Sequence, residues 1–223
     1  APSLKRLHLE LGGKAPFLVF GYADIEAAVQ GAAVGGIINA GQDCTAATRL
    51  YVEKPRFEEF RERLVAVLSG VRIGDPKSRK TDLGPLICEE QRSRVEGFVK
   101  RALASGARAL TGGERPHGSE TKNGWFYAPT LIVGARQNAE IVQNEVFGPV
   151  LCLLPFDGEQ EGLALANDCR FGLAASVWTK DAQRTLRVSA ALRFGTVWIN
   201  DHLPLTSEMP HGGFKHSGFG KDL

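Results

Sequence analysis

The sequence predicts an α/β fold, an open and mostly parallel sheet with helices on both faces. Short runs rich in Val, Ile, Leu and aromatic residues alternate with longer segments whose apolar residues recur at helical spacing. The connections are built from Gly, Pro, Asn and Asp, the residues that end such elements. The composition is that of a globular chain, 223 residues with 43% hydrophobic and 23% charged, and it supplies enough apolar material for a sizeable core.

Taken in order, LHLEL alternates and stops at Gly12-Gly13, which predicts a strand, and APFLVF is a short apolar strand. Asp24 is placed to cap the small-residue helix DIEAAVQGAAVGGIINA. RLYVEK reads as a strand. PRFEEFRERLVAVLSG reads as a helix with Pro55 at its start, Phe57, Phe60, Leu64 and Leu68 on one face, and Gly70 at its end. VRIGDPKSRKTDLGPLI is a loop, and EEQRSRVEGFVKRALASGA is a helix closed by Gly106. ARALTGG and FYAPTLIVG are strands joined by the polar loop ERPHGSETKNG. PVLCLLPF, LAASVWT and GTVWIN are strands, separated by the helices EQEGLALAND and DAQRTLRVSAAL. No internal repeat or linker stands out, so residues 1–223 are read as one principal domain.

A net charge of +2 gives no reason to expect nucleic acid or a membrane surface as partner, and no apolar run approaches the roughly 20 residues of a membrane span. The four cysteines, Cys44, Cys88, Cys152 and Cys169, have no CxxC spacing and form no paired Cys/His cluster. This argues against a metal site and a disulfide scaffold, and unpaired thiols suggest a reducing, cytoplasmic setting. The chain opens without Met or the features of a signal peptide, and its first residues read as the middle of a fold. The expectation is therefore an excised domain or a processed piece.

Cys44 is the residue most suggestive of chemistry. In IINAGQDCTAATRLYV it follows a glycine that permits a sharp turn and precedes what reads as a helix start. A thiol there would meet unpaired N–H groups and the positive end of the helix dipole, which favour the nucleophilic thiolate. Its small neighbours leave room for a substrate; the alternative is a buried cysteine in a small-residue helix. Glu10, in LELGGK, is either a solvent-facing strand residue or a carboxylate base for that thiol. NEVFGPV places an acid and an aromatic, Glu145 and Phe147, just before a buried strand. GGK at Gly12-Gly13-Lys14 lacks the spacing of a P-loop, and the glycine-rich GGFKHSGFGK near the end contains no dinucleotide fingerprint.

LELGGK, GQDC, EVFGPV, the FGLAASVWT region and PHGGFKHSGFGKDL, in this order, resemble the catalytic half of an NAD(P)-dependent aldehyde dehydrogenase, and the resemblance covers essentially the whole chain. It implies Cys44 as the nucleophile that forms a thiohemiacetal and then a thioester, and Glu10 as the general base that activates the hydrolytic water. Glu145 would bind the nicotinamide ribose hydroxyls, Phe147 would pack beside the nicotinamide, and Leu11 and Gly12 would form a loop against it. Lys221-Asp222 falls where the family has a basic–acidic pair near a proton path, with Asp222 in place of the commoner Glu. The implied cofactor is NAD, with NADP the alternative, and the implied partners are a small aldehyde and further copies of the chain in a homodimer or homotetramer. Most of the dinucleotide-binding domain, the oxyanion Asn and the C-terminal oligomerisation strand are expected to be absent. The isolated chain is then not expected to be competent as a dehydrogenase.

Within the family the closest resemblance is to the aminobutyraldehyde and betaine-aldehyde group, which implies a small amino aldehyde such as 4-aminobutyraldehyde, with Asp43 or Glu208 as a cation-binding carboxylate. Two other readings remain open at this point. One is a cofactor-independent thiol esterase using His202 or His211. The other is an inactive catalytic-domain fragment.

Overall fold

The computed structural model describes residues 4–222. A seven-stranded sheet has the order β4(Arg108–Thr111), β5(Thr130–Val133), β6(Val150–Phe156), β3(Ala47–Glu53), β2(Ala15–Val19), β8(Ala174–Trp178), β9(Thr196–Ile199). Every neighbouring pair is parallel except the antiparallel edge pair β4–β5. The predicted fold class is therefore the observed one. LHLEL is the exception among the strands. Only Leu9–Glu10 (β1) is a strand, and it pairs outside the main sheet with β11(Gly218–Phe219). The remaining short pair is β7(Phe171–Gly172) with β10(Phe214–Lys215).

Alternation along the strands divides the core into two layers. Phe17, Val19, Leu50, Val52, Leu151 and Leu153 face α1(Ile25–Ile37) and α2(Lys54–Ser69), whose Phe60, Leu64 and Leu68 are buried against them. Leu18, Phe20, Tyr51, Cys152 and Leu154 face the other way. They pack with Val95, Phe98 and Val99 of α3(Glu89–Ala104), Ala166 of α5(Gly158–Asn167) and Val188 of α6(Ala182–Ala191). Each large apolar side chain buried in this way contributes about 1.5–3 kcal/mol. The single turn α4(Glu140–Gln143) just before β6 was not expected from the sequence. As anticipated, Asp24 caps α1, its carboxylate accepting from Ala27 N at 3.2 Å. No described helix is long and apolar enough to cross a membrane.

Arg49 ties the layers together from a fully buried position on β3. Its Nε donates to Lys14 O at 2.9 Å, Nη1 to Tyr51 Oη at 3.2 Å, and Nη2 to Ala166 O at 3.0 Å. A guanidinium cannot shed its charge, so burying it requires such a set of acceptors. The neighbouring Lys14 is equally buried, but its Nζ has no hydrogen-bond partner among the described residues.

The structure corrects one expectation that bears on chemistry. No helix begins at Cys44. The residue lies in a turn, and Ala47 is already the first residue of β3.

Candidate active site

The residues singled out from the sequence lie along one edge of the sheet, at the amino ends of three neighbouring strands. Glu10, Leu11 and Gly12 precede β2, Cys44 precedes β3, and Glu145 and Phe147 precede β6. Because the order there is β6-β3-β2, segments far apart in sequence arrive side by side.

The Cys44 turn is built from tight local bonds. Beyond α1 the backbone enters the left-handed region at Asn39 (φ 50°), Ala40 (φ 56°) and Gly41 (φ 69°). Asn39 Nδ2 donates to Gln42 O at 2.9 Å, and Gln42 Nε2 returns a bond to Asn39 O at 3.0 Å. Asp43 Oδ1 then accepts from Thr45 N at 2.7 Å and from Thr45 Oγ1 at 2.6 Å, closing a turn around Cys44. The Asp43 carboxylate that was a candidate for binding a cation is therefore engaged in shaping the turn. Burial pushes the Cys44 thiol up to about 12, reinforced by the charge and hydrogen-bond acceptor of Glu10 and then by Asp43. With no helix terminus to favour the thiolate, Cys44 is a protonated thiol facing a carboxylate.

Two glycines allow the close approach. A Cβ on Gly13 would lie 2.0 Å from Cys44 O, and one on Gly12 would lie 2.6 Å from Glu145 Oε2. Gly13 N donates to Glu145 Oε1 at 2.8 Å, which leaves the second carboxylate oxygen for another donor. Glu145 and Phe147 are held from α3. Arg94 Nη2 donates to Glu145 O at 2.7 Å, and Gln91 Nε2 donates to Phe147 O at 2.6 Å. These bonds hold Phe147 in the left-handed region at φ 59°. Its side chain lines an open groove of about 770 Å³ together with Asn39, Gln42, Leu86 and Ile87.

The glycine-rich segment near the end of the chain supports this edge. Leu11 N donates to Ser217 O at 3.0 Å, Ser217 Oγ donates to Gly12 O at 2.7 Å, and Gly172 N donates to the same hydroxyl at 3.0 Å. Sequence reasoning missed Ser217, Gln91 and Arg94. Each acts through a backbone partner distant in sequence, which leaves no local pattern to read.

The histidines stand differently from what a thiol–imidazole pair requires. His202 is buried, with Nε2 at 2.9 Å from Thr45 O and Nδ1 at 3.1 Å from Ser176 Oγ. A carbonyl only accepts, so Nε2 carries the proton and Nδ1 accepts from the serine. No lone pair is free to take the Cys44 proton, and burial lowers the imidazole to about 4. His211 bonds Thr196 Oγ1 through Nδ1 at 2.9 Å. Lys221 Nζ donates to Gly212 O at 3.0 Å, and Asp222 pairs with His8 at 2.9 Å. Glu208 is exposed.

The sequence profile of the aldehyde dehydrogenase family matches residues 1–223. Betaine aldehyde dehydrogenase of Bacillus subtilis (strain 168) is 45% identical over 221 residues, which are 99% of this chain and 45% of that protein. The human 4-trimethylaminobutyraldehyde dehydrogenase is 42% identical over 224 residues, covering 100% of this chain and 45% of that protein. A crystal structure of betaine aldehyde dehydrogenase from Staphylococcus aureus in complex with NAD+ superimposes with a TM-score of 0.97 at 40% identity, covering 100% of this chain and 44% of that one. The chain thus spans about half the length of the relatives it matches.

Proposed function

Because the chain belongs to the aldehyde dehydrogenase family, we propose that it carries the nucleophile and base of an NAD-dependent aldehyde oxidation. The observation that carries this reading is the convergence of Cys44 with Glu10, Gly12, Gly13 and Glu145 at the amino ends of β2, β3 and β6, where Gly13 packs against Cys44 O and donates to Glu145. Glu10 takes the thiol proton as sulfur attacks the aldehyde carbon, and a thiohemiacetal forms on Cys44. The Cys44 backbone N–H is available to its oxyanion. Once the carbon is at the thioester level and Glu10 has given the thiol proton up to solvent, Glu10 takes a proton from water, which attacks the thioester carbon. The C–S bond breaks, the carboxylate leaves, and the departing Cys44 sulfur recovers a proton.

The residues beside Cys44 fit a dinucleotide's nicotinamide end. Gly12 lacks the side chain that would fill the space against Glu145, one Glu145 oxygen remains for ribose hydroxyls, and Phe147 offers an aromatic face at the groove. Leu11 and Gly12 complete that contact. When bound there, nicotinamide supplies the hydride acceptor.

The named activities of the relatives support a small aldehyde bearing an amino or trimethylammonium group as substrate. With Asp43 engaged in its turn, Glu208 is the candidate carboxylate for that cation. In this reading residues 1–223 form the catalytic portion of a longer enzyme that works as a homodimer or homotetramer.

Acylation by nitrophenyl acetate, followed by intact mass, tests the assignment. One acetyl group on Cys44 is expected, with none after Cys44→Ala. Glu10→Gln should leave the acyl-enzyme turning over about 100- to 10,000-fold more slowly. Nitrophenol release that survives Cys44→Ala, or unchanged turnover in Glu10→Gln, would refute it.

A further inference from the structure

The turn that carries Cys44 is held from a residue 157 positions away from Thr45. After β9 the chain reverses at Asn200, whose backbone is left-handed (φ 51°). Asn200 exchanges side-chain bonds with the Thr179 backbone, Oδ1 accepting at 2.9 Å and Nδ2 donating at 3.0 Å. Asp201 Oδ1 accepts from His202 N at 2.8 Å. The imidazole is turned inward, 6% exposed, between Trp198 (ring centroids 4.7 Å apart) and Phe17 (5.9 Å). On the α1 side it fills the space over Gly35, where an added Cβ would come within 2.7 Å of the ring.

Both ring nitrogens are used in this position. Nδ1 accepts from the Ser176 hydroxyl on β8, and Nε2–H donates to the carbonyl of Thr45, the residue after Cys44. On its other side Thr45 is bound to Asp43 through its amide and hydroxyl. Residues 43–45 are thus fixed at both ends, and Cys44 sits between the two anchors. A neutral imidazole with both nitrogens satisfied cannot carry a proton for the reaction, so its contribution is geometric.

We infer that His202 is a positioning residue for Cys44: by holding the Thr45 carbonyl it sets the direction of the thiol and of the Cys44 N–H toward the reacting carbonyl. The inference rests on the reading of Cys44 as the nucleophile. An attacking atom displaced by about 1 Å can lose 100-fold in rate, while simple alkylation of the thiol makes no such demand on the turn.

The test compares His202→Phe, which keeps the aromatic packing and loses the donor, with His202→Gln, whose amide reaches toward the same carbonyl. Ser176→Ala leaves the imidazole without its second anchor. Acetylation of Cys44 by nitrophenyl acetate and alkylation by iodoacetamide are followed in parallel. His202→Phe is expected to slow acetylation by about 10- to 100-fold with alkylation changed much less. His202→Gln should recover most of that loss, and Ser176→Ala should fall between. Acetylation at the unaltered rate in His202→Phe overturns the inference, as does an equal loss in His202→Phe and His202→Gln, or a parallel fall in alkylation. If His202→Phe does not fold, the same comparison of Ser176→Ala with the unaltered protein decides. Acetylation that persists in Cys44→Ala would instead remove the nucleophile reading itself.

Discussion

The two edges of the main sheet are built on opposite plans. At the carboxyl edge the loops are closed by mutual bonds. Gly21 N donates to Glu53 Oε2 at 2.5 Å, Lys180 N to Tyr22 O at 3.0 Å, and Lys54 pairs with Asp157 at 3.0 Å. At the amino edge lie the left-handed residues Asn39, Ala40 and Phe147, the amine of Lys14, which has no partner among the described residues, and the Cys44 thiol, raised by burial and by Glu10. Open α/β sheets commonly receive ligands at the carboxyl edge. Among the described residues, left-handed backbone and an unpaired buried group occur at the carboxyl edge too, at Asn200 and the Trp178 indole, but only the amino edge brings a buried amine, a raised thiol and carboxylates together, the titratable cluster that accompanies a site. Strand direction alone is therefore a weaker guide to the site than the convergence of titratable side chains.

The sharpest way to break this contrast is Gly13→Ala. The added Cβ meets the carbonyl of Cys44, which cannot swing away as a side-chain tip could. Acetylation of Cys44 is expected to fall to background and stability to drop by roughly 3 kcal/mol, as in severe overpacking. Gly12→Ala meets only the movable end of Glu145 and should leave acetylation by an ester largely intact. Equal effects from the two would show that the approach of Gly13 to Cys44 is not what shapes the site.

Lys14 gives a pH test of the same edge. Burial lowers its amine from the ordinary 10.5 to about 8. Between those values the unfolded chain binds the proton and the folded one does not, so its contribution to stability improves as pH rises from 8 to 10.5 and is worst below 8. The advantage of Lys14→Met over the unaltered protein in urea denaturation should then be greatest at neutral pH, up to about 3 kcal/mol, and fade by pH 10.5. An advantage independent of pH would mean that the amine finds a partner.

A smaller effect separates Cys44 from Cys88. Cys88 is the N-cap residue of the 16-residue α3, the setting expected from the sequence at Cys44. With Cys44 pushed up to about 12, a brief iodoacetamide pulse at pH 7 should label Cys88 first. Removing the negative charge in Glu10→Gln should raise Cys44 labelling by about tenfold, one pKa unit of thiolate. Preferential labelling of Cys44 in the unaltered protein would contradict the protonated resting state. The smallest effect is expected at the carboxyl edge. Lys54→Ala removes an exposed pair and should change neither the acetylation rate nor the melting temperature measurably.

Much of this architecture was legible in the sequence, because alternating runs such as PVLCLLPF carry their own periodicity and Asp24 caps its helix locally. Glu10, Cys44, Glu145 and Phe147 were legible as motifs in a fixed order. The helix start at Cys44 was misread because Thr45–Thr48 is a run of small residues that serves a helix or a strand. Pairing with β2 and β6 makes Ala47 onward a strand, a tertiary decision that overrides local preference. Ser217 and the clamp at His202 were not legible, since hydrogen bonds to distant carbonyls impose no spacing on neighbouring residues.

The stitching of Gly12 to Ser217 has a consequence in time. The two residues are 205 positions apart, and β1, which contains Glu10, pairs with Gly218 and Phe219. As the chain leaves the ribosome, β2, α1 and β3 can pack around Cys44 long before the segment that seats Glu10 has been made. Contacts of such separation are also late and slow to form in refolding. Thiol and carboxylate thus come together only after residues 217–219 have been made, so a nascent chain that has not reached them holds Cys44 without its carboxylate neighbour, and the pair forms only once folding has closed over it.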